Sequence, residues 1–177
     1  MNQLSWYQKF YWSRWGKPTQ ELELFKYLIS TPISSVLEIG VGDGSRMRRL
    51  ARLVRLPAGC PALRYVGVDL FEAANDGKRH MSLKQAHQVA TQLGFKATLV
   101  PGDARSGVGR VANKMAPSDL IICDGGIDST EPHSVSWGVW LPRIAHDRTV
   151  LLGCSEAGGR LEVTRIDLTR FDHRSAA

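Results

Sequence analysis

The 177-residue sequence is poor in cysteine, holding only Cys60, Cys123 and Cys154. They are odd in number and too far apart for a zinc motif, which sets aside both a disulfide scaffold and a structural metal. They fit a reducing compartment, so a cytoplasmic location is expected. No apolar run approaches the ~18–20 residues that cross a bilayer. The aromatic opening segment carries Lys9 and Arg14 and lacks a small-residue cleavage site. Neither a signal peptide nor a membrane partner is expected. Repeats, low-complexity tracts and an interdomain linker are also lacking. So is a general excess of charge: of the net +6, five positive charges belong to Arg46, Arg48, Arg49, Arg52 and Arg55, within ten residues. Nucleic acid as a partner would rest on that one segment.

What is present is an ordinary globular mixture, 43% hydrophobic and 23% charged, which excludes wholesale disorder. A chain of this length buries roughly 70% of its unfolded surface, enough for a core without staples. Strand-like and helix-like segments alternate. Ser35–Ile39, Arg64–Asp69, Ala97–Pro101, Leu120–Cys123 and Thr149–Gly153 read as buried strands, and Leu161–Leu168 as a final half-exposed one. Met47, Leu50, Ala51 and Val54 recur at helical spacing, with Arg48, Arg49, Arg52 and Arg55 on the opposite, outward face. Leu83, Ala86, Ala90 and Leu93 mark a second helix, with Gly94 placed as its stop. A third starts near Pro132 and carries Val135, Val139, Leu141 and Ile144. The alternation predicts an α/β fold, a mostly parallel sheet with helices on both faces.

Residues 1–34 differ from the rest and are expected to form an aromatic arm and a helix ahead of the main domain, 35–177. Trp6, Tyr7, Phe10, Tyr11, Trp12 and Trp15 are six of the fourteen aromatics. Gln20–Ile29 reads as an amphipathic helix. The arm reads either as packing or as a flap against the ligand-facing edge of the sheet.

The chemistry begins at Glu38-Ile39-Gly40-Val41-Gly42-Asp43-Gly44, where a buried strand runs into glycines and a helix opens at once. Glycines permit a tight turn and a close ligand approach, and a helix start offers N–H groups and a positive dipole end. A dinucleotide fingerprint would be G-x-G-x-x-G with an acid about 20 residues on. Here Ser45 stands at the third glycine, and the acid Asp69 lies 29 residues after Gly40. Both count against NAD.

The pattern E-x-G-x-G-x-G instead resembles motif I of the class I S-adenosylmethionine-dependent methyltransferases. Val66-Gly67-Val68-Asp69-Leu70 is similar to the second-strand motif of that family, Pro101-Gly102-Asp103-Ala104 to the third, and Asp119–Gly125 to the fourth. The resemblance spans Glu38 to Ser155 and implies a shortened Rossmann-like methyltransferase sandwich binding S-adenosyl-L-methionine. It implies cofactor contacts from Gly40, Gly42 and Gly44, from Glu38 toward the methionine amino group, and from Arg46 near its carboxylate. It implies the ribose diol on Asp69, whose two oxygens suit it. The adenine would lie between Asp103, Ala104 and the apolar Leu70 and Phe71. Asp124 and His133, with Asp128, stand as candidate catalytic residues near the transferring methyl.

The sequence departs from the family in places. Asp124-Gly125-Gly126 is not the [DN]-P-P-[YFW] motif of adenine or glutamine amino methyltransferases. The stretch I-C-D-G-G followed by W-G-V-W-L-P-R-I looks most like small-molecule O-methyltransferases, but the His expected after Asp-Gly is absent. His80, His87, His146 and His173 show no ligand spacing and read as structural or exposed; no metal site is expected. A small-molecule acceptor is therefore the leading expectation. A non-catalytic cofactor- or nucleoside-binding relative, and a nucleic-acid methyltransferase using the arginine helix, remain open alternatives.

Overall fold

The computed structural model describes residues 5–124, 136–157 and 160–168. Six strands form one sheet: β1 Ser35–Ile39, β2 Arg64–Asp69, β3 Lys96–Pro101, β4 Leu120–Asp124, β5 Val150–Ala157 and β6 Arg160–Ile166, in the order β3-β2-β1-β4-β5-β6. The first five are mutually parallel, while β6 runs antiparallel on β5. The register pairs Ala157 with Arg160, and a parallel crossover needs a dozen or more residues. The last strand can therefore only turn back. The α/β sandwich with a mostly parallel, Rossmann-like sheet is the architecture expected from the alternation of segments.

The described residues form six α-helices, α1 Trp6–Trp15, α2 Leu22–Ser30, α3 Ser45–Leu53, α4 Leu83–Gln92, α5 Ala104–Lys114 and α6 Trp137–Ile144, of which α2 to α6 pack on the sheet. Strand residues alternate between two cores. Val36, Leu120, Ile122 and Leu152 pack with Leu24, Phe25 and Leu28 of α2, Met47 and Leu50 of α3, and Ala86 and Ala90 of α4. Leu37, Ile39, Val68, Ile121 and Leu151 pack with Val108 and Val111 of α5 and Leu141 and Ile144 of α6. All five residues of β1 are buried, as a central parallel strand requires. At the opposite edge from the glycine turn, Asp119 Oδ2 accepts hydrogen bonds from Ser34 N, Ser34 Oγ and Ser35 N at 2.7, 2.8 and 3.0 Å. His146 Nε2 lies 3.0 Å from its Oδ1. This clamp fixes the entries of β1 and β4 together.

Two helices differ from expectation. The aromatic segment forms α1, which packs on α2 through Trp12 edge-on to Phe25, 5.2 Å between ring centres. Helix α5 has no apolar signal strong enough to offset Gly107 and Gly109. It is capped by Asp103, whose side chain accepts from Ser106 N at 2.8 Å. Gly107 is needed for packing, because a Cβ there would overlap Val68 Cγ1 on β2. Alanine in place of an unhindered helical glycine stabilises by about 1 kcal/mol. Gly107→Ala is instead expected to destabilise the fold by about 1–3 kcal/mol through overpacking, measured by urea denaturation. An unchanged or raised midpoint would mean that α5 does not sit this close to β2.

Candidate active site at the switch point of the sheet

Strand order reverses between β1 and β4, and open α/β sheets place ligands in the crevice this creates at the carboxyl ends of the strands. The turn Gly40–Gly44 lies there. Its three glycines all have positive φ, 89°, 59° and 71°, a region costly for other residues. Their surroundings differ. A Cβ on Gly40 would fall 2.5 Å from Asp124 Cβ, so this glycine lets the end of β1 lie against the end of β4. A Cβ on Gly44 would overlap the thioether of Met81. A Cβ on Gly42 would meet nothing within 4 Å. Gly42 therefore opens the backbone toward a cleft of roughly 260 Å³, which it lines with Asp69, Arg46, His80, Lys78 and Asp124 among others.

Asp69, buried at the end of β2, holds the turn in place. Its Oδ2 accepts from Gly42 N at 2.8 Å and its Oδ1 from Phe71 N at 2.6 Å. Each oxygen keeps a second acceptor position. Phe71 N–H is aimed at Asp69 with φ at 52°, uncommon for a bulky residue. The Phe71 ring is buried in the core. The expectation that Phe71 offers apolar surface to a ligand is therefore corrected; Leu70 is exposed and Phe71 is not. At the start of α3, Asp43 binds Ser45 N and Oγ at 2.9 and 2.7 Å. Partial burial opposes its ionisation, but these bonds together with Arg49 and Arg48 hold its carboxyl below the ordinary range. A carboxylate of the protein thus occupies the anion-attracting end of the helix.

Beneath the turn lies a buried charge network. Glu38 shares the face of Val36 and is fully buried, accepting from Arg46 Nη1 at 3.1 Å and from Tyr65 Oη at 2.6 Å. Gly67, opposite Glu38 in register, leaves space for the Tyr65 ring, since a Cβ there would come within 3.1 Å of Tyr65 Cε1. Arg46 also binds Glu21 Oε1 through Nε at 3.2 Å and pairs with Asp124 Oδ1 at 3.6 Å. Arg49 grips both oxygens of Glu21 at 2.7 Å each. Three carboxylates therefore face two guanidiniums, and one negative charge is left over when all are ionised. Burial pushes the Glu38 carboxyl up to about 7, with Arg46 and Tyr65 opposing the rise and Glu21 adding to it.

The structure brings Gly40, Gly42, Asp69, Arg46 and Asp124 to one cleft, whereas Gly44 is buried against Met81 and does not line it. Asp103 and Ala104 are at the end of β3, and the Asp103 side chain caps α5. Glu38 does not reach the cleft wall and can act there only through Arg46. Asp128 and His133 lie outside the described residues. Of the arginines expected to point outward, Arg48, Arg52 and Arg55 are exposed, but Arg49 turns inward to Glu21. The flap reading of the arm has no support in this cleft, since no residue of α1 lines it. Two site residues carried no signal in the sequence. Glu21 sits in a short 3-10 turn, Thr19–Glu21, and is 2% exposed. His80, read as structural or exposed, lines the cleft, with Nε2 2.9 Å from Asp76 Oδ1 and Nδ1 3.4 Å from Asp69 Oδ1. Among the described residues no group of three or more potential ligands could hold a metal ion.

Neither a family model nor a curated protein sequence matches the chain. Solved structures with a similar course of the chain include a precorrin-6y C5,15-methyltransferase from Geobacter metallireducens, 15% identical, with a TM-score of 0.48 over 78% of this chain and 64% of that one. A SAM-dependent methyltransferase from Thiobacillus denitrificans in complex with S-adenosyl-L-homocysteine is 19% identical, TM-score 0.48, covering 82% and 54%. An O-methyltransferase from Streptomyces achromogenes in complex with SAM is 16% identical, TM-score 0.47, covering 85% and 56%. The chain thus spans between 54% and 64% of the length of these three. At such identities the site is judged on its own residues.

Two outcomes are expected from the network. Removing one partner of a buried ion pair strands the other charge and costs about 3–5 kcal/mol. Glu21→Ala should therefore lower the unfolding free energy by that amount, although the residue lies outside the sheet. A loss under about 1 kcal/mol, as for a surface pair, would show that Arg46 and Arg49 do not depend on it. The second outcome concerns pH. The native state holds the Glu38 proton from the ordinary 4.5 up to about 7, where the unfolded chain has released it. Glu38 should therefore make the protein less stable as pH rises through that window, by at most about 3 kcal/mol. Glu38→Gln should remove that fall, read as the difference between the two proteins in urea unfolding at pH 5 and pH 8. Parallel profiles would mean that Glu38 stays ionised against Arg46 throughout.

Proposed function

We propose that the protein is an S-adenosylmethionine-dependent methyltransferase acting on a small-molecule acceptor. The observation that carries this reading is the electrostatics of the glycine turn. A phosphate-binding turn presents open N–H groups and a helix end to an anion. Here Asp43 occupies the helix start and Asp69 holds Gly42 N. Those features disfavour a pyrophosphate and suit a ligand of net positive charge that carries a vicinal diol. S-adenosylmethionine, with its sulfonium, ammonium and carboxylate, is such a ligand.

The residues fit it in specific ways. The backbone at Gly42 would lie against the ligand, and the remaining acceptor positions of Asp69 would take the two ribose hydroxyls. Leu70 and Ala104 would flank the adenine. Asp103, which caps α5 through its side chain, would accept from the adenine amino group. Arg46, backed by Glu38 and Glu21, would orient the methionine end. The cofactor supplies an already activated methyl group. The protein therefore has to align the acceptor at about 3–3.5 Å and exclude water. Asp124 Oδ1 faces Arg46, and its Oδ2 would receive the proton of an acceptor that must lose one.

Ligand stabilisation tests the reading. A hundredfold excess over Kd adds about 2.7 kcal/mol, which for a chain of this size raises Tm by about 5–10 °C. S-adenosylhomocysteine should produce that shift, and NAD and ATP should not. Gly42→Ala adds a methyl group only to the open side of the turn, so it should abolish the shift while costing about 1 kcal/mol of stability from its φ. A shift with NAD and none with S-adenosylhomocysteine would refute the assignment.

A further inference from the structure

Helix α1 exposes what a soluble domain ordinarily covers. Trp6, Tyr7, Phe10, Tyr11 and Trp15 are between 47% and 78% exposed. At 3.6 residues per turn they sweep about half of the helix circumference, while Trp12 on the other side packs on Phe25. Trp6 stacks on Phe10 at 5.8 Å and Trp15 meets Phe10 edge-on at 5.3 Å, so the rings form a continuous patch. Contiguous exposed apolar surface of this kind marks an interaction site. Residues 1–17 also contain Lys9, Arg14 and Lys17 and no acidic residue.

We propose that α1 is an interfacial docking helix that seats the protein on a lipid surface bearing anionic headgroups. The helix has ten residues, about 15 Å. No helix among the described residues is long and apolar enough to cross a membrane, so α1 can only lie on one. Its chemistry matches that place. Tryptophan and tyrosine settle at the headgroup level, with ring buried and polar atom wet. Arg14, in the middle of the aromatic arc, can lay its stem along the apolar surface and keep its guanidinium among phosphates. A second copy of the chain is a poorer occupant, because a two-fold pairing of this face would set the same cations against each other. The proposal is independent of the chemistry at the glycine turn.

Vesicle cosedimentation of the full chain tests it. Binding is expected to vesicles of phosphatidylcholine and phosphatidylglycerol in equal parts. To phosphatidylcholine alone it should be at least about tenfold weaker, since each cation near an anionic surface contributes about fivefold. Added salt should weaken it further. The triple variant Trp6→Ser, Phe10→Ser, Trp15→Ser and the double variant Lys9→Glu, Arg14→Glu should each abolish binding while keeping the wild-type urea midpoint. If the aromatic variant does not fold, the charge variant decides. Absence of binding by the wild type, or binding unchanged in the folded variants, overturns the proposal. So does a dimer that the variants dissociate without loss of lipid binding.

Discussion

Arg46 is the residue on which the functional edge of this fold depends. It is 7% exposed, and its guanidinium is shared by carboxylates from three places: Glu21 ahead of α2, Glu38 in β1 and Asp124 at the end of β4. Only arginine offers a planar fork of five donors that can serve several carboxylates in fixed directions. Desolvating such a charge is costly and is compensated only when every partner is in place. The grip therefore constrains four elements at once: the 3-10 turn before α2, the central strand, the helix that carries Arg46, and the strand across the crevice. Arg49 reinforces it by taking both oxygens of Glu21. Helix α2 is thus tied to the glycine turn by charge through Glu21, besides packing into the same core through Leu24, Phe25 and Leu28.

That arrangement also explains why the turn differs from a phosphate loop despite sharing its glycines. The strand, turn and helix scaffold leaves open which sign of charge the helix end meets. In this chain the matter is decided by side chains around the turn. Asp43 takes the helix start and Asp69 anchors the backbone. Gly40 and Gly44 are required by packing against Asp124 and Met81, so only Gly42 is spared for a ligand. A glycine motif thus has positions with separate causes, and substitution at each should fail for a different reason.

Much of the sheet was legible in the sequence because its strands are short, β-branched and bounded by turn residues. The expected bounds of Ser35–Ile39 and Arg64–Asp69 coincide with the observed strands. Helix α4 was legible from its spacing and its stop, Gly94, which adopts φ 73°. Helix α5 was not, because Gly107 lowers helix propensity and is retained only to let the helix approach Val68, a tertiary cause with no local signature. Helix α1 was not, because its exposed aromatics spread over half the circumference and Trp12 stands on the other side, so no narrow apolar stripe of helical period appears. At the site, Asp69 and the glycines stood out by position relative to strand ends. Glu21 did not, since its role comes from two arginines 25 and 28 residues away. Arg49 was misplaced for the same reason: helical parity put it outward, and a buried acid drew it in.

The arginine helix thus divides its charge between two purposes. Arg46 and Arg49 are neutralised inside the molecule, by acids that the net charge has already counted. The positive surface that remains in this segment comes from Arg48 and Arg52 on α3 and from Arg55 just beyond its end. Three exposed cations, two of them on one short helix, without interleaved aromatics, make a poor platform for single-stranded nucleic acid, which needs rings for bases to stack on. The aromatics of this protein are instead concentrated on α1, where cations stand among them and acids are missing. Placement, more than total charge, therefore separates the candidate partners. The basic segment prominent in the sequence is largely structural, while the stretch that can engage an anionic surface holds just three of the chain's cations.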